Sequence, residues 1–515
     1  MIRIRDYMKD KWAYYLVGCT LLVVSLLLII VTNNGDDYTL QLPTTSIFGR
    51  VTFATTIIIG LIELGLIGFF LSKEVPLEKI FLIIAIPLGI AYMVAIPLGK
   101  IPDEEIHIRK AVAIAQGNLF STVSADGSAN EEMEKNISGA ISQANNNSYE
   151  NAFKWANIKD SGEKASMWYS TMALYAPVCH LPQALGVLIA RIFGANMFFQ
   201  AYNARVMNFM VAVSLIYFAI KNMPIKKEFL MFIALSPIAM NELVSISSDA
   251  LTIGISLFWI SYIFKIKYDE SIKTLSIKNN IILIIHAIIV SMCKIVYIPL
   301  CLLLLIVPRE KFGSLKKKCI WLSIIIGVAT ILNLLWLAYA SRFLIPFNPG
   351  VNSKEQVIFI LTHPVSYFLI LFRTMAIYTP SYIQGLCGTL LSELNVNCSG
   401  LFIYTVIPFM FFTSVVNYDN NDTKIDTFTK FVSITIAVLI ILLIYTAEYV
   451  QWTPYKQSEI WGVQSRYFIP ILMLFAVTMY NNKYKVDGKK SYKYMFIFML
   501  FYNLNAITNI IYKYI

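Results

Sequence analysis

Residues 320–340 read IWLSIIIGVATILNLLWLAYA, and only Cys319 separates them from Lys316-Lys317-Lys318. No charged side chain interrupts the run. About 20 such residues wound as a helix cross the hydrocarbon core of a bilayer, and Lys and Arg gather at the cytoplasmic end of such helices. This stretch makes the chain a membrane protein, and its kind recurs. Residues 12–32, 51–71, 80–98, 202–220, 229–240, 250–264, 401–416, 431–446, 468–480 and 495–511 are apolar runs of similar character. Residues 281–307 read as two short helices broken at Cys293-Lys294, with Lys294 and Tyr297 at the turn. The total is about thirteen crossings of roughly 20 residues or somewhat fewer. The expected fold is an all-α, polytopic transmembrane bundle. Residues 12–32 lack a small-residue cleavage site and read as an uncleaved first helix.

Composition agrees. Of 515 residues, 57% are hydrophobic and 14% charged, against about 25% charged in a soluble domain. The net charge of +11 sits in short loops between apolar runs, without the aromatic-interleaved stripe of a nucleic-acid binder, so no nucleic acid is expected as a partner. Arg3, Arg5, Lys9 and Lys11 place the N-terminus in the cytoplasm. The loops holding Lys221, Lys226 and Lys227, then Lys265 to Lys278, Arg309 to Lys318, and Lys483 to Lys493 lie on the same side. Residues 99–200, 341–400 and 448–467 are then external. Within them, 121–164 is polar, whereas 172–193 and 361–377 read as amphipathic helices lying in the interface. None of the 7 cysteines forms a CxxC or zinc pattern. Cys387 and Cys398, both external, could close a disulfide loop.

The residues able to carry chemistry cluster on the external side. Pro102-Asp103-Glu104-Glu105-Ile106-His107, continuing to Lys110, follows the third run. Pro102 and the acidic residues suit a helix start, and spacings of three and four put Asp103 or Glu104 on one face with His107 and Lys110. Such a set could provide a general base and its orienter, or hold a divalent cation through Asp103, Glu104 and His107. It also fits a plain capped interfacial helix. Asp249, after Ser247-Ser248, caps a helix or faces the same site. Lys294 needs a partner, a phosphate or a carboxylate. In Gly462-Val463-Gln464-Ser465-Arg466-Tyr467-Phe468-Ile469-Pro470, Arg466 is suited to bidentate phosphate binding or to anchoring in the headgroups.

Pro102-Asp103-Glu104 with His107 and Gly117 resembles the opening motif of a bacterial membrane family catalogued as a domain of unknown function, DUF2142. Gly462 to Pro470 resembles its closing motif, with Ser465 standing where glycine is expected. Ser247-Ser248-Asp249-Ala250, and Lys294 with Tyr297 and Pro299, fit its middle. The resemblance runs from about Ile80 to Tyr480. That family is similar in plan to glycosyltransferases of the GT-C type, which use sugar donors on polyprenyl phosphate. The resemblance implies Asp103 or Glu104 as catalytic carboxylate and a second acidic role for Asp249. It also implies two helices added in front, residues 1–78, of a GT-C-like membrane domain, residues 79–515.

The resulting expectation is an inverting transferase in a bacterial cell membrane, with its site on the outer face. Asp103, Glu104 and His107 form the catalytic set, and Asp249, Lys294, Tyr297, Gln464, Arg466 and Tyr467 bind substrate and phosphate. The donor is a polyprenyl-phosphate-linked sugar within the membrane lipid. The acceptor is a cell-envelope glycan, a teichoic acid or a lipid-linked oligosaccharide. The other class is a flippase or transporter of such lipids, which charges inside the spans, such as Glu63, would favour.

Overall fold

A computed structural model describes residues 16, 18–20, 47–73, 75–121, 129–137, 155–168, 170–343, 348–418 and 423–514; most of the run 12–32 lies outside them. The described chain is mostly helical. Six helices are long and apolar enough to cross a membrane: Leu77–Ala95, Met197–Asn222, Asp249–Tyr268, Leu315–Phe343, Thr427–Gln451 and Ser491–Tyr514. A seventh arises if Ser353–Thr362 and Pro364–Leu386, bent by 108° at His363, form one span.

Among the described residues several of the other runs fold as shorter apolar pieces. Proline is the main reason, because it removes a backbone donor and cannot sit inside an unbroken ladder. Run 229–240 becomes Lys227–Ala234 and Pro237–Leu243, where Ser236 caps the second piece by accepting from the Ala239 amide. Run 281–307 becomes Ile277–Cys293 and a 3-10 helix, Ile295–Ile306, that carries Pro299. Lys294 lies extended between them (φ −153°, ψ 126°), as the sequence indicates. Run 468–480 becomes a 3-10 turn, Ser465–Ile471, with Pro470, followed by Leu472–Met479.

The fold is also not all-α. Asn130–Glu134 pairs antiparallel with Lys164–Trp168. One side chain on each strand, Met133 and Met167, packs into a small core with Ile108, Ala111 and Val187. That contact holds the ribbon on the helix Glu104–Ala115. Residues 172–193 form the short pieces Ser170–Ala173 and Pro177–His180 and the helix Leu181–Ile192. Cys387 and Cys398 are buried and unbridged.

Close helix contacts rest on glycine. A Cβ at Gly254 would stand 3.1 Å from the Ala212 carbonyl oxygen, joining Asp249–Tyr268 to Met197–Asn222. Helix polarity then separates two ends of the bundle. Asp249 begins a 20-residue helix whose last turn holds Lys265 and Lys267, about 30 Å away at 1.5 Å per residue. Ile277–Cys293 runs back and delivers Lys294 to Asp249. Acidic groups and Arg466 thus gather at one end, and the lysine-rich loop 265–278 lies at the other.

Candidate functional site

Asp103 precedes the helix Glu104–Ala115 in a left-handed conformation (φ 66°, ψ 3°), which aspartate tolerates better than most residues. This turn gives the two adjacent carboxylates different surroundings. Glu104 is fully buried and paired with Arg205: Nε donates to Oε1 at 2.8 Å and Nη2 to Oε2 at 2.5 Å. Glu104 also accepts from the amides of Gly99 (3.0 Å) and Ile246 (3.1 Å). Asp103 is 51% exposed and meets Arg466 Nη2 at 3.2 Å.

Arg466 is reached by three carboxylates. Besides Asp103, Asp249 Oδ2 lies 3.2 Å from its Nε and Glu242 Oε2 lies 3.6 Å from its Nη1. Among the described residues only its Nη2 makes a well-aligned hydrogen bond; Nε and Nη1 make none. Lys294 pairs with the other oxygen of Asp249 and stands 4.3 Å above the Tyr467 ring. The Tyr297 hydroxyl donates to the Tyr467 carbonyl at 2.8 Å, tying the Lys294 break to the Arg466 segment. Gln464 caps that segment, and its Oε1 makes no hydrogen bond among the described residues. Ser465 packs against Gly385, where a Cβ would come within 1.9 Å of its hydroxyl.

His107 stacks on His180, with Nδ1 2.8 Å from Nε2, and Tyr175 packs edge-on against both rings. Burial lowers the His107 imidazole to about 4, outweighing the pull of Asp103 and Asp249. His180 is lowered too, by burial first and by its neighbour second. Both rings are therefore neutral near pH 7. Lys110 lies 5.9 Å from the Trp336 ring, and burial lowers it to about 8.

Asp103, Glu104 and His107 do not converge on a common point: one faces Arg466, one Arg205, one His180. Among the described residues no group of three or more His, Cys, Asp and Glu side chains could hold a metal ion. The donor set expected for a divalent cation is not assembled by this geometry.

Two cavities flank the wall made by Tyr445–Glu448 and Tyr467–Phe468. One, of 480 Å³, is lined by Tyr382, Tyr445, Phe468, Phe475 and other mostly apolar residues. The other, of 250 Å³, is lined by Lys294, Tyr297, Glu448, Tyr467 and neighbours. Gly462, left-handed at φ 86°, makes room for Glu448: a Cβ there would lie 2.6 Å from Oε2.

The family described as a predicted membrane protein (DUF2142) matches residues 87–475. The chain belongs to this family. No curated protein and no solved structure matches it. The family's match encloses each site residue named above, from Asp103 to Tyr467.

Sequence reasoning brought Asp103, Asp249, Lys294, Tyr297, Arg466 and Tyr467 to one place. It overlooked Glu242, Glu448, Arg205 and His180. Arg205 lies within an apolar helix and Glu242 follows an apolar run, and an ionisable group there calls for a partner; that signal was available. Glu448 likewise follows an apolar run, 431–446, whereas His180 carries no local pattern that would single it out.

Proposed function

We propose that the protein is a GT-C-like membrane glycosyltransferase. It moves a sugar from a polyprenyl-phosphate donor to a hydroxyl of a cell-envelope glycan, teichoic acid or lipid-linked acceptor on the outer face of a bacterial membrane. One observation carries this reading: Arg466, in a charged cluster with two cations, stands two residues before Phe468, which lines an apolar 480 Å³ cavity. That pairing suits a lipid whose head is anionic. Two cations face three carboxylates, so an arriving phosphate has to replace one of them. Asp103 is the one with room to leave, at 51% exposure against 2% for Glu242 and 10% for Asp249.

In this reading the donor phosphate takes Arg466 and Lys294, and its chain enters the apolar cavity. Asp103, released from Nη2, takes the proton of the acceptor hydroxyl. The oxygen attacks the anomeric carbon, the bond from that carbon to the phosphate oxygen breaks, and polyprenyl phosphate leaves with the electron pair. The sugar inverts. Glu104 acts as a positioning residue, since its carboxylate is fully engaged. His107 supports the turn from beneath and stays neutral.

The test is release of polyprenyl phosphate from a labelled polyprenyl-phosphate-linked sugar in membranes containing the protein and envelope glycan. Asp103→Asn is expected to slow release by about 10²–10⁴-fold with unchanged folding. Full turnover in Asp103→Asn overturns the assignment. Passage of intact donor across the bilayer, without release, establishes the flippase instead.

A further inference from the structure

The lining of the 250 Å³ cavity holds both a cation and an anion. Lys294 and Tyr467 contribute to it, as do Glu448 and Gln451 at the end of the helix Thr427–Gln451. Asn333 and Trp336 close it from the helix Leu315–Ala340. Its volume is below the roughly 300–1,000 Å³ of pockets for drug-sized ligands, which suits a single ring. We infer that this cavity seats the sugar of the donor, and that the sugar is uncharged. The inference rests on the glycosyltransferase reading and adds the substrate's class and the residues that recognise it.

Four observations support it. Among the described residues the half-buried Glu448 carboxylate lines the cavity and makes no side-chain hydrogen bond, whereas the fully buried Glu104 carboxylate has four. Its oxygens are open to accept, and vicinal hydroxyls of a pyranose are donors of the right kind. Next, Gly462 keeps that carboxylate's space open, at a conformation that favours glycine. Third, Asn333 sits within the apolar helix Leu315–Ala340, and its amide NH₂ turns back to the Ala329 carbonyl at 2.9 Å. Its carbonyl oxygen therefore remains for a ligand; polar groups inside spans mark substrate paths. Fourth, Trp336 is one turn further along the same face, with its indole N–H fixed on the Leu174 carbonyl at 2.8 Å. A fixed indole offers a flat apolar face to the C–H side of a sugar. Charge bears on the class. The lining carries one cation, Lys294, and one anion, Glu448, so it singles out neither an amino sugar nor a uronic acid.

Binding to purified protein in lipid nanodiscs tests this, using sugar-free polyprenyl phosphate and the same lipid carrying glucose, galactose or mannose. At least one neutral hexose lipid is expected to bind ten- to a hundredfold tighter than the sugar-free lipid. Glu448→Gln is expected to remove most of that difference while leaving the sugar-free lipid's affinity unchanged, and Asn333→Leu to reduce it in part. Equal affinity of wild type for all four lipids overturns the inference and leaves the phosphate reading intact. So does a difference that survives both substitutions. Failure of wild type to bind even the sugar-free lipid overturns the glycosyltransferase reading itself, and this inference with it.

Discussion

Arg205 and Arg466 are both buried arginines that face carboxylates, yet they are built for opposite ends. Arg205 has one carboxylate and spends every nitrogen: Nε and Nη2 on Glu104, Nη1 on the Ile96 carbonyl at 2.7 Å, and Nη2 also on the Pro97 carbonyl at 3.0 Å. Arg466 has three carboxylates within 3.6 Å and one well-aligned hydrogen bond. A saturated arginine fixes geometry, since anything that displaces it strands several partners at once. An undersaturated one, surrounded by competing anions, exchanges partners at small cost. The same residue type thus locks residues 96–104 in place at one position and offers a binding cation at the other.

The comparison breaks if the two arginines respond alike to substitution. The largest effect is expected at the lock. Arg205→Met strands the Glu104 charge in the interior and is expected to lower stability by about 3–5 kcal/mol, read as a fall in melting temperature in detergent. Arg205→Met with Glu104→Gln removes the stranded charge and is expected to be milder than Arg205→Met alone. Arg466→Lys is expected to leave melting nearly unchanged and to weaken binding of polyprenyl phosphate by about tenfold to a hundredfold, because ammonium cannot make the bidentate contact. A large loss of stability there would make Arg466 a second lock.

A smaller effect concerns acid. An unfolded chain protonates His107 near pH 6.5, whereas the folded one does so only near 4. Between those values the unfolded state holds more protons, so stability falls as pH drops, by at most about 1.4 kcal/mol per unit for one such group. His107→Asn is expected to flatten the fall in melting temperature between pH 6.5 and 4.5, and an unchanged slope would assign the fall to other groups. The smallest perturbation sharpens the placement of Arg466 without touching it. In a cysteine-free background, Lys159→Cys is expected to react with an impermeant thiol reagent on spheroplasts and Lys316→Cys not to. Reaction at Lys316→Cys alone would put the site on the cytoplasmic face.

What was legible in the sequence follows from the same contrast. Asp103, Asp249, Lys294 and Arg466 stand out because each borders an apolar run, where a charge is expensive and so conspicuous. Glu104 looked equivalent to Asp103, since spacing along a helix cannot say which of two adjacent carboxylates faces inward; the left-handed turn at Asp103 decides it. Six of the expected crossings are long helices among the described residues; hydropathy sums apolar content and ignores continuity, and Pro237, Pro299 and Pro470 divide runs that hydropathy joins. The strand pair was missed because each strand has one buried side chain, too few to set up an alternation. Whether Cys387 and Cys398 are bridged was open in the sequence; both are free thiols packed among apolar neighbours.

The bend at His363 has a mechanical side. Pro364–Leu386 has 23 residues, a beam about 35 Å long at 1.5 Å per residue. Five of its side chains, from Met375 to Leu386, line the apolar cavity in the half of the beam remote from the bend. A tilt of about 5° at His363 would carry that far end roughly 3 Å, by the same rise per residue. Glu459 grips the beam at two points, Arg373 (3.2 Å) and Tyr378 (2.8 Å). It acts as a clamp partway along a lever, and the contact of Ser465 with Gly385 bears on the far end beside the cavity.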